Sequence, residues 1–512
     1  MNIQKQPIAI LLFFIALAFF LPLSLAPLFD LDEGAFSEAT REMLKGGDYI
    51  TTYLNGELRF DKPILIYWFQ LLSVKTFGLN EFALRLPSAI AGAIWAMSIY
   101  FFTKRVIDNK TAFWATLFMI TSLQINMIAK ASIADSLLNM FIALSMFSIY
   151  LFFQNRENRY IYWTFLFVAL GTLTKGPVAI MIPLVVSLMF FSFRGEFKLW
   201  LRMIFNPIGI AIFLVVAMPW YIAEYMAQGQ AFIDGFFLKH NLSRFSSSME
   251  KHSGSIFYFI PVLIVGIMPF TYFVIKAIAK AREYIRDDLR LYLFIWFGFV
   301  FIFFSFSGTK LPHYVIYGYT PIFILSALYI DSFSKKWLLY PLLGFLAILL
   351  FLPDIATLFQ SQIRDKLAVE LIKDAYSTFD IFYRVELTLL IVFLIFVYKK
   401  IKDNNRFLIS IALSMVIMVN YIVIPTYGKL MQQPIKEAGL LAKKRGYKNI
   451  IMYKINMPSF NIYYEGLVSK EKPHGEDIVL TKVTRLKDFK EYKTLYRKNG
   501  FALIKVIKKI ED

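Results

Sequence analysis

Long apolar runs of roughly 16 to 22 residues, with few charges inside them, recur along most of the chain. The pattern predicts about thirteen transmembrane helices, at 8–28, 82–102, 111–128, 136–153, 160–174, 177–193, 207–224, 256–275, 291–306, 314–331, 335–352, 383–398 and 406–425. The first run is longer than the apolar core of a signal peptide and is read as a retained span, although Ser24-Leu25-Ala26 resembles a cleavage site. A separate run, Pro63 to Phe77, reads as a helix lying in or dipping into the interface. Beyond residue 427 the runs shorten and the period changes. "PIKEAGLLAKKRG" reads as a helix, "NIIMYKI", "DIVLTKV" and "FALIKVI" as strands, and "RLKDFKEYK" as a helix between the last two. The expected fold class is therefore a polytopic all-α membrane protein with interfacial helices. Its transmembrane domain spans 1–426, its first outer loop 29–81, and a small C-terminal α/β extracytoplasmic domain 427–512.

Charge fixes the expected orientation. The loops 103–110, 154–159, 194–206, 276–290, 332–334 and 399–405, with their immediate flanks, each carry at least two Lys or Arg residues. Loops 29–81 and 353–382 are net acidic. With the N-terminus inside, the basic loops all fall on the cytoplasmic side, and the acidic loops and the C-terminal domain lie outside. The formal charge of +19 thus reflects loop placement and affinity for anionic membrane lipids, with no nucleic-acid partner implied. The chain has no cysteine, which excludes disulfides, thiolate metal sites and Cys nucleophiles.

The polar residues that sit oddly at span ends fall on the outer side under this topology. They are Asp30, Asp32 and Glu33 after the first span, Asp61-Lys62, Lys130 with Asp135, Lys175 before Gly176-Pro177, His240 with Arg244, His252, and Lys310, His313 and Tyr314. Charge at membrane depth is costly and marks function by default. Structural readings compete. Asp30 as N-cap and Glu33 as the capping-box acid would start an amphipathic helix whose apolar face is Phe36, Ala39, Met43 and Leu44, leaving Asp32 over. Pro63 at the first position of a helix would put Lys62 against an unfavourable dipole, unless an anion is held there. Lys175 can snorkel, Asp135 can cap the fourth span, and Arg244 and Lys310 can anchor to lipid heads.

Cations converging at the interface suit a phosphate carried by a lipid, and carboxylates beside them suit general-base work or a divalent metal. No GxxxxGK[ST] motif is present, so an activated group has to come from the outer face. A lipid-phosphate-linked sugar meets that need. The run "LDEGAFSEATREMLKGGDYITTYLNGELRFDKPILIYW", followed by "FALRLPSAIAG", closely resembles the first outer loop of the aminoarabinose transferases of lipid A, and more distantly the protein O-mannosyltransferases. Both are GT-C glycosyltransferases; "LTKGP", "HNLSRF" and "TKLPHY" also resemble family positions.

The resemblance implies catalytic roles for Asp32, Glu33 and Asp135. It implies contacts with the lipid phosphate or donor for Lys62, Lys175, Arg244, Lys310 and Tyr314, and metal ligation by Asp61 and His240, with His252 the alternative. The metal would be Zn, Mg or Mn. Asp61 stands where the family often has Glu, Ile64 where it has a second Pro, and Phe36 where it has an aromatic hydroxyl, so a metal is less strongly implied than a phosphate. The implied activity is transfer of a sugar from a polyprenyl phosphate to lipid A or a related envelope glycolipid, at the periplasmic side of the bacterial inner membrane. Transfer to protein Ser or Thr, and transport of a lipid-linked sugar, are the alternatives.

Overall fold

The computed structural model describes residues 6–243 and 254–509, with the side chains of 240–243 and of 509 outside the description. Among the described residues, six helices are long and apolar enough to cross a membrane: Glu81–Val106, Asp135–Asn155, Pro207–Gln228, Asp288–Phe306, Ile381–Lys400 and Asn404–Met431. A bent pair, Lys336–Leu350 and Leu352–Leu358 at 60°, makes a seventh if counted as one span. Several expected spans are shorter or broken. The first apolar helix, Pro7–Phe20, ends well before residue 28.

The expected 111–128 span divides into Asn109–Thr121 and Leu123–Ile128 around an extended Ser122. There the Leu123 N–H turns to the Met268 carbonyl at 3.0 Å, and the Asn126 side chain donates to the Ile120 carbonyl at 3.0 Å in place of a ladder bond. The 256–275 run becomes Phe259–Gly266 and Thr271–Ala279, separated by Pro269, which has no N–H to continue the ladder. The last span runs through to Met431, past the domain boundary at 426 read from the sequence.

Helix ends are set locally. Asn80 accepts from the Ala83 N–H and starts Glu81–Val106, which carries Lys104 and Arg105 in its last turn. Asp108 caps the next helix and Asp287 caps Asp288–Phe306. The core between helices is aromatic, with Trp95, Trp114 and Trp296 fully buried. Buried indoles need acceptors. Trp95 Nε1 reaches Thr320 Oγ1 at 2.8 Å, and Trp296 Nε1 reaches the Tyr317 carbonyl at 2.9 Å, fixing the segment that carries Tyr317.

The C-terminal sheet has the order Ile450–Met452, Ile478–Lys482, Phe501–Lys509, Phe489–Lys498; the first pair is parallel and the others antiparallel. The helix Gln433–Arg445 and three strands stand where the sequence pattern puts them. "RLKDFKEYK" does not form the expected helix: residues Val483–Asp488 make a 3-10 turn and Phe489–Lys498 an edge strand. Its Lys-rich exposed face reads as the polar side of a helix, yet charged residues are also what a free sheet edge carries.

Candidate active site

Asp32 opens the helix Asp32–Gly46 and its side chain is exposed, whereas both acids beside it are engaged. Glu33 is 5% exposed. Its carboxylate takes Arg85 Nε at 2.8 Å and Nη2 at 2.6 Å, and the N–H groups of Phe29 at 2.9 Å and Ser132 at 2.8 Å. Burial opposes its charge, but Arg85 and the two amides hold the carboxyl below its usual range. Arg85 also donates to the carbonyls of Leu23, Ala26 and Pro27, at 2.9, 2.7 and 2.8 Å. All five donors of the fork are thereby used, tying the end of the first helical region to the start of the next.

Asp30 does not cap its own helix: Leu31 holds that position with no side-chain hydrogen bond. The Asp30 carboxylate instead accepts from the backbone N–H (2.9 Å) and hydroxyl of Ser459, in the C-terminal domain. Gly34 permits this. A Cβ there would lie 2.0 Å from Asp30 Oδ1 and 2.7 Å from the Ser459 nitrogen.

The chain returns to Asp32 through a hairpin, Tyr53–Leu54 with Glu57–Leu58, turned by Asn55-Gly56 with φ of 58° and 78°. Glu42 of the Asp32 helix accepts from both turn amides, at 2.5 and 2.9 Å. The hairpin delivers Arg59, Asp61 and Lys62. Asp61 lies 3.1 Å from Arg59 Nη2 and 3.2 Å from Lys62 Nζ. The Arg59 guanidinium sits over the Phe36 ring, 5.4 Å from its centroid, and feels the charge of Asp32. Pro63 is not the first residue of a helix; the helix is Leu65–Phe77, with Ile64 at its cap, so Lys62 avoids the helix terminus that the sequence reading placed against it.

Lys175 and Asp135 form a buried ion pair at 2.6 Å, their side chains 10% and 6% exposed. The Tyr317 hydroxyl donates to the same Asp135 oxygen at 3.2 Å. The Lys175 ammonium lies 5.6 Å from the Tyr317 ring centroid and 6.0 Å from that of Tyr314. Lys175 is the last residue of its helix, and the turn after it requires Gly176: φ is +80°, and a Cβ would meet the Phe236 ring at 2.7 Å. The charges of Asp135, Lys175, Asp32 and Lys62 all act on His313. Burial, helped by the two lysines, pushes His313 down to about 4, against the pull of the two carboxylates.

Lys310 is buried and donates to the Ser307 carbonyl at 2.6 Å, and Tyr314 packs against Phe304 at 5.1 Å between centroids. Lys130 is buried and donates to Asn126 and Asn420. The charges of Asp32, Lys62, Asp135 and Lys175 thus meet at His313. Asp32 also lines a cavity of about 390 Å³, together with Asp30, Glu33, Arg85 and Lys130 and with apolar residues such as Leu349, Met418 and Val423.

Arg244 and His252 lie outside the described residues, as does the side chain of His240. No three His, Cys, Asp or Glu residues converge as metal ligands among the described residues, and the Asp61 carboxylate is held between two cations. Of the two expected metal ligands, Asp61 is described and the side chain of His240 is not. Arg85 and Arg59 were missed as site residues. The available signal was an arginine at the end of an apolar run in "FALRLPSAIAG" and a second cation in "RFDKP".

The class that this architecture defines is the GT-C fold, a bundle of apolar helices with its polar site in the first long loop and a small sheet domain at the C-terminus. The model of the dolichyl-phosphate-mannose-protein mannosyltransferase family matches residues 61–222. The undecaprenyl phosphate-alpha-4-amino-4-deoxy-L-arabinose arabinosyl transferase of Yersinia enterocolitica is 30% identical over 335 residues, covering 64% of this chain and 60% of that protein. Its counterpart in Yersinia pestis is 29% identical over 328 residues, covering 63% and 58%. The chain therefore matches about 60% of the length of these curated relatives. Among solved structures, ArnT from Cupriavidus metallidurans bound to undecaprenyl phosphate superposes with a TM-score of 0.82 at 18% identity, covering 97% of each chain. The Archaeoglobus fulgidus oligosaccharyltransferase in its apo form gives 0.52 at 13% identity, covering 91% of this chain and 64% of that one. The fold is thus ArnT-like, and the resemblance read from the loop motif stands.

Proposed function

We propose that this protein is a glycosyltransferase that moves a sugar from a polyprenyl phosphate to an envelope acceptor, lipid A or a related glycolipid. The observation that carries the reading is Asp32. It is the exposed member of an acidic trio whose other two members are anchored, and it shares an electrostatic environment with Lys62, Lys175 and Asp135. Support also comes from the ArnT-like fold and from relatives named as undecaprenyl phosphate aminoarabinose transferases.

In this mechanism Lys62 and Lys175, with Arg244, bind the lipid phosphate and stabilise the charge that grows on it as the glycosidic bond breaks. Asp61 and Asp135 hold the lysines in place in the free enzyme, so no side chain has to be recruited during reaction. Tyr314 stands beside Lys175 and, with Lys310, adds contacts to the donor. Asp32 takes the proton of an acceptor hydroxyl, or orients an acceptor phosphate; Glu33 positions it. A single displacement inverts the anomeric carbon. A divalent metal would be held by Asp61 and His240 and would supply charge stabilisation at the phosphate.

The setting is the inner membrane, crossed about thirteen times, with the site and the C-terminal domain facing the periplasm. The test is purified protein with radiolabelled undecaprenyl-phosphate sugar and lipid A. Wild type is expected to release undecaprenyl phosphate and label lipid A, and Asp32→Asn to lose about 10²- to 10⁴-fold in turnover. Label in protein with lipid A unchanged would replace the acceptor. Full turnover by Asp32→Asn would overturn the assignment of the base.

A further inference from the structure

The C-terminal domain meets the catalytic loop through a short helix, Ser459–Tyr464. At one end, Ser459 holds Asp30 by its N–H and its hydroxyl. At the other, the Tyr463 hydroxyl accepts from the Leu28 N–H at 2.9 Å and donates to Glu81 at 3.0 Å. Glu81 is paired in turn with Lys436, 2.5 Å away. The segment just before Asp32 is thus gripped at residues 28 and 30, and Glu33 just after it is held by Arg85 and Ser132.

The same domain holds the second limb of the loop. Asn55, at the hairpin turn, exchanges hydrogen bonds with the backbone of Val468, at 2.6 and 2.9 Å, and accepts from Asn461 at 2.9 Å. That hairpin leads directly to Asp61 and Lys62. The side chains that hold these two limbs, Ser459 and Asn461, stand two positions apart on one rigid turn of helix.

We infer that the C-terminal domain is a clamp that sets the position of Asp32 against the phosphate-binding cations, with Ser459 and Tyr463 as positioning residues acting through Asp30 and Leu28. The inference deepens the transferase reading and rests on it for its kinetic consequence. The contacts are polar and hydrogen-bonded, with Asn461 Oδ1 left without a partner among the described residues, whereas a domain joined only as an appendage has no need to engage an aspartate of the loop with a serine 429 residues away. Gly34 supports the same conclusion. Its missing side chain is what lets the Asp30 carboxylate lie across the helix start to reach Ser459.

The test uses the full-length protein in detergent, with hydrogen–deuterium exchange of the 29–37 peptide as a readout that needs no activity. Ser459→Ala is expected to raise exchange in that peptide by about tenfold or more, the loss of one hydrogen bond to a charged group. Ser459→Thr, which keeps the hydroxyl, is expected to restore wild-type exchange. With donor and acceptor, Ser459→Ala is expected to lower kcat while leaving the Kd for undecaprenyl phosphate within about twofold, since Lys62 and Lys175 are untouched. Unchanged exchange in Ser459→Ala overturns the clamp. So does a uniform rise over the whole chain that Ser459→Thr fails to reverse, which would mean general unfolding. Raised local exchange in a protein whose wild type transfers no sugar supports the clamp and sinks the transferase reading instead.

Discussion

Arg85→Ala is the substitution with the largest expected effect on stability. Arg85 is 5% exposed and supplies five hydrogen bonds, two to Glu33 and three to the carbonyls of Leu23, Ala26 and Pro27. Removing one member of a buried ion pair costs about 3–5 kcal/mol, because the other charge is left behind without compensation. Glu33 would retain the amides of Phe29 and Ser132, two of its four donors, which pulls the expected cost towards the lower end, near 3 kcal/mol. The three carbonyls would lose their donor as well, which keeps the cost from falling further. The assay is thermal unfolding of detergent-solubilised protein, followed by tryptophan fluorescence and by recovery of monodisperse protein on size exclusion. Arg85→Lys is expected to rescue little, since a single ammonium cannot reproduce the fork. Glu33→Gln combined with Arg85→Met is expected to be less damaging than Arg85→Ala alone, because no charge is stranded. Arg85→Ala melting within a degree of wild type, or the double variant melting lower than the single one, would refute the reasoning.

Three further outcomes follow from the site. Lys175→Ala is expected to weaken undecaprenyl phosphate binding by about 1.5–3 kcal/mol, read by tryptophan quenching or calorimetry, while Asp135→Asn, which loosens Lys175 but keeps its charge, weakens binding less and lowers stability. Burial raises the Asp30 carboxyl to about 7, against the hydrogen bonds of Ser459. A folded-state value above the unfolded one means stability is present at low pH and lost as pH rises from about 4 through about 7, so the melting temperature of wild type should fall across that window relative to Asp30→Asn; a constant difference would refute this. Exhaustive chelation with EDTA and 1,10-phenanthroline tests the metal ligation implied for Asp61 and His240: turnover lost and restored by Zn or Mg is the expected outcome, and turnover unchanged within about twofold would refute it.

Periodicity alone located what depends on neighbours in sequence. It marked the apolar helices, the strands Ile450–Met452, Ile478–Lys482 and Phe501–Lys509, the unusual charges Asp32, Asp135 and Lys175 at helix ends, and Lys62 in the loop before one. Local pattern carries these because the 3.6- and 2-residue periods and the cost of charge near lipid act residue by residue. It misjudged Phe489–Lys498, where a charged sheet edge and a charged helix face look alike, and it ran through Ser122, where the Leu123 N–H turns to the distant Met268 carbonyl and no proline marks the break.

What only the tertiary structure decided is which of the acids are free. Asp30, Asp32 and Glu33 are almost adjacent and chemically alike, and their local pattern suggested a capping box. Glu33 is taken by an arginine 52 residues away and Asp30 by a serine 429 residues away. Asp32 stands apart because its two neighbours are bound elsewhere. Such pairings follow from which segments the fold brings within about 3 Å, and no period or spacing along the chain encodes that.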